Sequence, residues 1–155
     1  MEPYSAYNIK RKKRKIHNSI NFDIILKKVF KSQPGIKKVI LVDKTGKTIA
    51  SVSKFSYFSV AVDSIGATVS AIFCASEEQG KNLELGRLEI ITSEFENGKI
   101  IASNFCSDAV LTLICDSDLN IGLIRLVLAR AVSEVKDNFL LKFSNTLDFY
   151  DFSDL

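Results

Sequence analysis

The chain contains a single histidine, His17, three cysteines, and no apolar run of the length that crosses a bilayer. Each shortage closes off a class of function. A histidine acting as general base or relay must be held rigidly against its partner. His17 instead sits beside a run of cations near the start of the chain and is read as a solvated side chain. Zinc-type centres need three or four converging nitrogen and sulfur ligands, whereas Cys74, Cys106 and Cys115 form no CxxC pair. Three cysteines leave one unpaired, which suits a reducing compartment, and each is read as a small buried apolar side chain. A membrane span takes roughly 20 apolar residues, and a secretory leader needs an apolar segment behind its first charges. Neither pattern is present, so the expectation is a cytoplasmic, non-enzymatic protein without metal or cofactor.

What is present is a chain of 155 residues with 46% hydrophobic and 25% charged side chains, enough for one domain with appendages. The net charge of +3 is a local matter. Lys10, Arg11, Lys12, Lys13, Arg14 and Lys15 are consecutive, and without them the remainder carries −3. Residues 1–18 are therefore read as a flexible basic arm, since the run has no apolar face to bury. The arm is either simply solvated or a contact for an anionic membrane surface, at about 1 kcal/mol per basic residue near charged lipid. The acidic remainder offers no wide basic face, so no nucleic acid is expected as a partner.

The body, residues 19–138, opens with a helix that Ser19 or Asn21 would cap. Phe22, Ile25, Leu26, Val29 and Phe30 form its apolar stripe, and Pro34-Gly35 ends it. Val39–Val42 and Lys47–Ser53 are strand-forming around the turn Asp43-Lys44-Thr45-Gly46. Leu83–Phe95 reads as one long strand, Asn97-Gly98 as a hairpin signal, and Ile100–Phe105 and Ala109–Cys115 as two further strands. A helix over 120–138 follows, with Ile121, Ile124, Leu128, Ala131 and Val135 on one face. The order α-β-β-α-β-β-β-α predicts an α+β sandwich, a five-stranded antiparallel sheet with helices on both faces. Residues 139–155 form an acidic, aromatic tail. There Leu147, Phe149, Tyr150, Phe152 and Leu155 interleave with Asp148, Asp151 and Asp154, a pattern for docking on the chain's own body or for binding a partner.

The middle helix, Val60–Ser76, has almost no solvent face. Val62, Ile65, Val69, Ile72 and Phe73 fall on one side, where they would pack on a core. The other side holds Val60, Ser64, Ala67, Ala71, Cys74 and Ala75, with Asp63 at its edge as the segment's single charge. A helix apolar or small all round is covered all round, so this segment predicts association.

Two features imitate chemistry. Thr45-Gly46-Lys47-Thr48 looks like the end of a phosphate loop, but that motif needs a glycine where this chain has Leu41 and must lead into a helix. It is read as a hairpin turn. Arg125 and Arg130 offer cations of the kind used as an arginine finger, but on a helix they are read as solvated side chains.

Taken together, three blocks resemble the roadblock family of dynein-light-chain-like regulators of small GTPases. They are Gly35-Ile36 through Ile40-Leu41-Val42-Asp43 with Gly46 and Ile49-Ala50-Ser51, the small-residue helix leading into Leu83-Glu84-Leu85-Gly86, and Asn120-Ile121-Gly122-Leu123-Ile124-Arg125. The resemblance spans residues 20–138. It implies a homodimer, or a heterodimer with a roadblock paralogue, in which the middle helices pack together and the third strands meet edge to edge. The interface would comprise Val60, Ser64, Ala67, Ala71, Cys74 and Ala75 with Leu88, Ile90 and Ile91. It also implies a Ras-like small GTPase as partner, activated, regulated or scaffolded by the dimer. The alternative is a light-chain-like adaptor of a larger complex, acting through its tails independently of nucleotide state.

Overall fold

The computed structural model describes residues 21–54, 61–106 and 108–147, with residues 138–147 as backbone only. Helix α1 (Phe22–Ser32) buries Ile25, Leu26 and Val29, the expected stripe, and stops before Pro34-Gly35. Strands β1 (Ile36–Asp43) and β2 (Thr48–Ser53) pair antiparallel around the expected turn. Helix α2 (Val62–Asn82) follows, then β3 (Ile90–Phe95), β4 (Gly98–Cys106), β5 (Ala109–Cys115) and the long helix α3 (Ile121–Leu147). The sheet order is β2-β1-β5-β4-β3 with every neighbouring pair antiparallel. The expected order of elements and the antiparallel five-stranded sheet are both realised.

Strands β1 and β5 lie side by side inside the sheet, buried on both faces and largely apolar, with Lys38 and Thr112 as polar side chains buried among them. One face packs against α1 and α3, where Val39, Leu41, Leu111 and Leu113 meet Leu26, Ile124 and Leu128. Phe22 and Phe105 close that core edge to face, with ring centroids 6.3 Å apart. The opposite face packs against α2, where Val42, Ala102 and Val110 meet Val69 and Phe73.

Three elements differ from expectation. The expected strand from Leu83 begins only at Ile90. The preceding residues end α2 instead: Leu85 N–H donates to Gly80 O at 2.9 Å and Glu84 N–H to Lys81 O at 3.0 Å. These are the two bonds of a Schellman cap, which needs a left-handed residue between them; Glu84 supplies it at φ 56°. The β3–β4 turn is Glu96-Asn97, with Phe95 paired to Gly98, so the glycine belongs to the strand. A Cβ at Gly98 would stand 2.9 Å from Cys115 O, a close approach that glycine alone permits. Helix α3 runs beyond Asn138 to Leu147, since neither glycine nor proline follows Gly122 to stop it.

A left-handed L-residue costs about 1–2 kcal/mol, which glycine avoids. Glu84→Gly is therefore expected to raise unfolding stability by about 1 kcal/mol in urea denaturation. Glu84→Ala, which keeps the strain, should give no such gain.

Candidate interaction surface

Helix α2 is seated by the β1–β2 turn. The Asp43 carboxylate accepts from Thr45 N–H and Lys47 N–H, both at 2.9 Å, and from Thr45 Oγ1 at 2.6 Å. The Thr45 hydroxyl and the two amides hold its pKa below the usual carboxylate value, the hydroxyl foremost. Gly46 completes the turn at φ +93°, and a Cβ there would lie 3.2 Å from the Ala67 backbone. The turn thus touches the helix. Ser70 Oγ donates to Asp43 O at 3.1 Å, Cys74 Sγ to Lys44 O at 3.7 Å, and Lys44 pairs with Glu77 at 3.0 Å. The segment that imitates a phosphate loop is this hairpin turn between two strands.

The seat fixes which side of α2 is left over. Its buried residues are Gly66, Val69, Ser70 and Phe73. Ser64, Ala67, Thr68, Ala71 and Ala75 are exposed, with no charge among them, and Asp63 is exposed at their edge. Ile72, expected in the core stripe, is 51% exposed. Burying Gly66 and Ser70 brings the helix close to the sheet and rotates the stripe away from Ile72. Cys74 is half-buried because it turns toward Lys44.

Strand β3 is an edge strand with one neighbour. Leu88 and Ile91 are half-buried beneath α2, while Ile90 points to the opposite face and packs with the α1–α3 core. Phe95, 58% exposed, and Leu85, 74% exposed, add large apolar surface at this edge. Ile72 was not among the expected interface residues, and Leu85 and Phe95 were expected only as the ends of an edge strand that a partner covers. For Phe95 the signal was available, since it shares a strand face with Ile91 two registers away. For Ile72 it was not, because periodicity does not reveal that a glycine takes the centre of the buried face.

Other expected residues fall as follows. Arg125 and Arg130 are exposed on α3. Cys115 is buried, and burial pushes its thiol up to about 11. Cys106 is exposed beside the β4–β5 turn, against the expectation that all three cysteines pack inside. Lys38 alternates with Ile40 and Val42 along β1, the bulge after Ile36 having put Ile36 with Val39 and Leu41 on the other side. It is 2% exposed, and burial lowers its pKa below the ordinary lysine value. Val60, Lys10–Lys15, His17, Phe149, Tyr150 and Phe152 lie outside the described residues, and Leu147 closes α3 as backbone. No described helix is long and apolar enough to cross a membrane. Among the described residues no group of His, Cys, Asp and Glu is placed to hold a metal ion.

A five-stranded antiparallel sheet between one helix and two, with α2 inserted between β2 and β3, is the roadblock fold. MglB of Myxococcus xanthus superposes with a TM-score of 0.71 at 21% identity, over 79% of this chain and 97% of that one. A roadblock/LC7 domain from Streptomyces avermitilis gives 0.68 at 13% identity, over 76% and 97%. In sequence, two uncharacterized proteins of Methanocaldococcus jannaschii are each 34% identical over 105 residues, 68% of this chain and 89% of each relative. The model of a family described as mitogen-activated protein kinase kinase 1 interacting matches residues 20–140, and the chain belongs to that roadblock-type family.

Proposed function

We propose that this protein is a non-enzymatic roadblock dimer that binds a Ras-like small GTPase and regulates or scaffolds it. One observation carries the reading: the uncharged face of α2, Ser64, Ala67, Thr68, Ala71 and Ala75, is exposed on the side of the sheet to which the edge strand β3 turns Ile91. Small side chains let two helix backbones approach closely, and an open edge strand invites pairing with an equal. Ile72, Leu85 and Phe95 would be covered in the same contact. Catalysis by the protein itself has no support in its side chains, so its effect on a GTPase would come from positioning. A rigid two-fold platform contacts the switch regions or holds the GTPase in place. The family description, with its interacting kinase kinase, favours a second reading, an adaptor indifferent to nucleotide state. A heterodimer with a roadblock paralogue would use the same seam. We further propose the tripartite division read from the sequence, a basic arm over 1–18, a roadblock domain over 19–138 and a tail over 139–155 whose first part, 139–147, continues α3, with residence in the cytoplasm or peripherally at a membrane.

Ala71→Glu buries a charge at the proposed seam, which costs several kcal/mol when unpaired. Sedimentation of this variant is expected to give a monomer where the parent chain gives a dimer; a dimeric variant overturns the seam. Immobilised protein, offered Ras-like GTPases loaded with GDP or with a non-hydrolysable GTP analogue, is expected to retain one form about tenfold better, a difference of about 1.4 kcal/mol. Equal retention favours the adaptor. The arm Lys10–Lys15 is expected to carry the chain onto vesicles containing phosphatidylserine and to release it in high salt. Flotation with neutral vesicles is the control, and equal binding to both removes the membrane role.

A further inference from the structure

On the sheet face opposite α2, helix α3 leaves part of β3 uncovered. Between them runs a groove of about 360 Å³. Its floor mixes the apolar Ile90, Leu128 and Val132 with the polar Ser103 and Asn104, and its rim carries Arg87, Arg125 and Lys136 against one acid, Glu89. The three cations are exposed, and among the described residues none of them forms an ion pair. A partly apolar trough with a cationic rim suits a segment that alternates acids with large apolar side chains.

This chain contains such a segment. Asp148–Leu155 reads Asp-Phe-Tyr-Asp-Phe-Ser-Asp-Leu, three carboxylates among four large apolar residues. Extended, eight residues span about 26 Å at 3.3 Å each, while Arg125 to Lys136 along α3 covers about 16 Å at 1.5 Å per residue. The segment is long enough to fill the groove. It cannot do so from its own chain. From Leu147, where α3 ends, Arg125 lies about 33 Å back along the helix axis. That exceeds the roughly 29 Å limit of eight fully stretched residues, before any residue is spent on reversing direction.

We propose that this groove is a docking site for Asp148–Leu155 of a second copy of the chain. The carboxylates of Asp148, Asp151 and Asp154 meet Arg87, Arg125 and Lys136, and the aromatic rings lie on Ile90, Leu128 and Val132. Such contacts link copies beyond whatever assembly the α2 seam makes, and they do not depend on the GTPase reading.

A charge exchange tests this with the full chain. Variant Arg125→Glu/Lys136→Glu reverses the groove, and variant Asp148→Lys/Asp151→Lys/Asp154→Lys reverses the tail. Sedimentation velocity of the parent chain is expected to show a mass that rises with concentration above that of either variant alone. About tenfold weakening is expected between 0.1 and 0.5 M salt. An equimolar mixture of the two variants should regain the higher mass, because each then offers the other a complementary groove and tail. Equal masses for parent and variants overturn the proposal. A mixture that fails to regain the parent's mass also overturns it, and assigns the loss to a different occupant of the groove or of the tail. Ala71→Glu lowers the starting assembly but should leave the concentration-dependent increment, so failure of the seam and failure of the groove read out separately.

Discussion

The structure depends on an inequality of cover. Strands β1 and β5 are largely apolar and buried on both faces, so both sides of the sheet must be shielded from water. Five strands about 4.8 Å apart span about 19 Å between the outer axes, and helices pack at 8–10 Å. Two helices suffice for one face, and α1 and α3 supply them. On the other face, among the described residues, α2 is the single helix. Half a face therefore depends on something other than the described helices, and on that side α2 shows its uncharged flank.

What decides where α2 lies is the tight turn at Asp43–Lys47 rather than the large apolar side chains of the helix. Ser70 and Cys74 donate to carbonyls of that turn, Gly46 makes room for Ala67, and Lys44 reaches Glu77. Together they place Gly66 and Ser70 at the centre of the buried side. The rotation that follows turns out Ala71, Ile72 and Ala75. A hairpin that resembles a nucleotide loop in composition thus has a different task, fixing the face that the helix offers outward.

The fold was legible because its signals are local: the stripe of α1, the turn residues of β1–β2, the apolar runs of β4 and β5, and the single charge, Asp63, over Val60–Ser76. Each survives in a single chain without tertiary information. The Schellman cap at Glu84 was not legible, because left-handed backbone there is written in glutamate rather than glycine. The outward turn of Ile72 and the burial of Lys38 depend on contacts between elements distant in sequence. The small-residue face was visible as an anomaly, yet the role proposed for it as a seam rests on resemblance. The groove beside α3 was invisible, because Arg87, Ile90, Arg125 and Lys136 come together only when β3 and α3 are placed on one sheet.

The two surfaces also divide by chemistry and by place. The α2 flank is uncharged and made of small side chains, suited to close backbone approach and insensitive to salt. The α3 groove is rimmed with cations around a partly apolar floor, suited to an acidic segment and responsive to ionic strength. Ile91 and Ile90, adjacent in β3, point one to each side, so a single edge strand contributes to both. Occupying one surface would stiffen that strand without blocking the other. Coupling between them would then run through the placement of β3 against β4, the one neighbour that holds it.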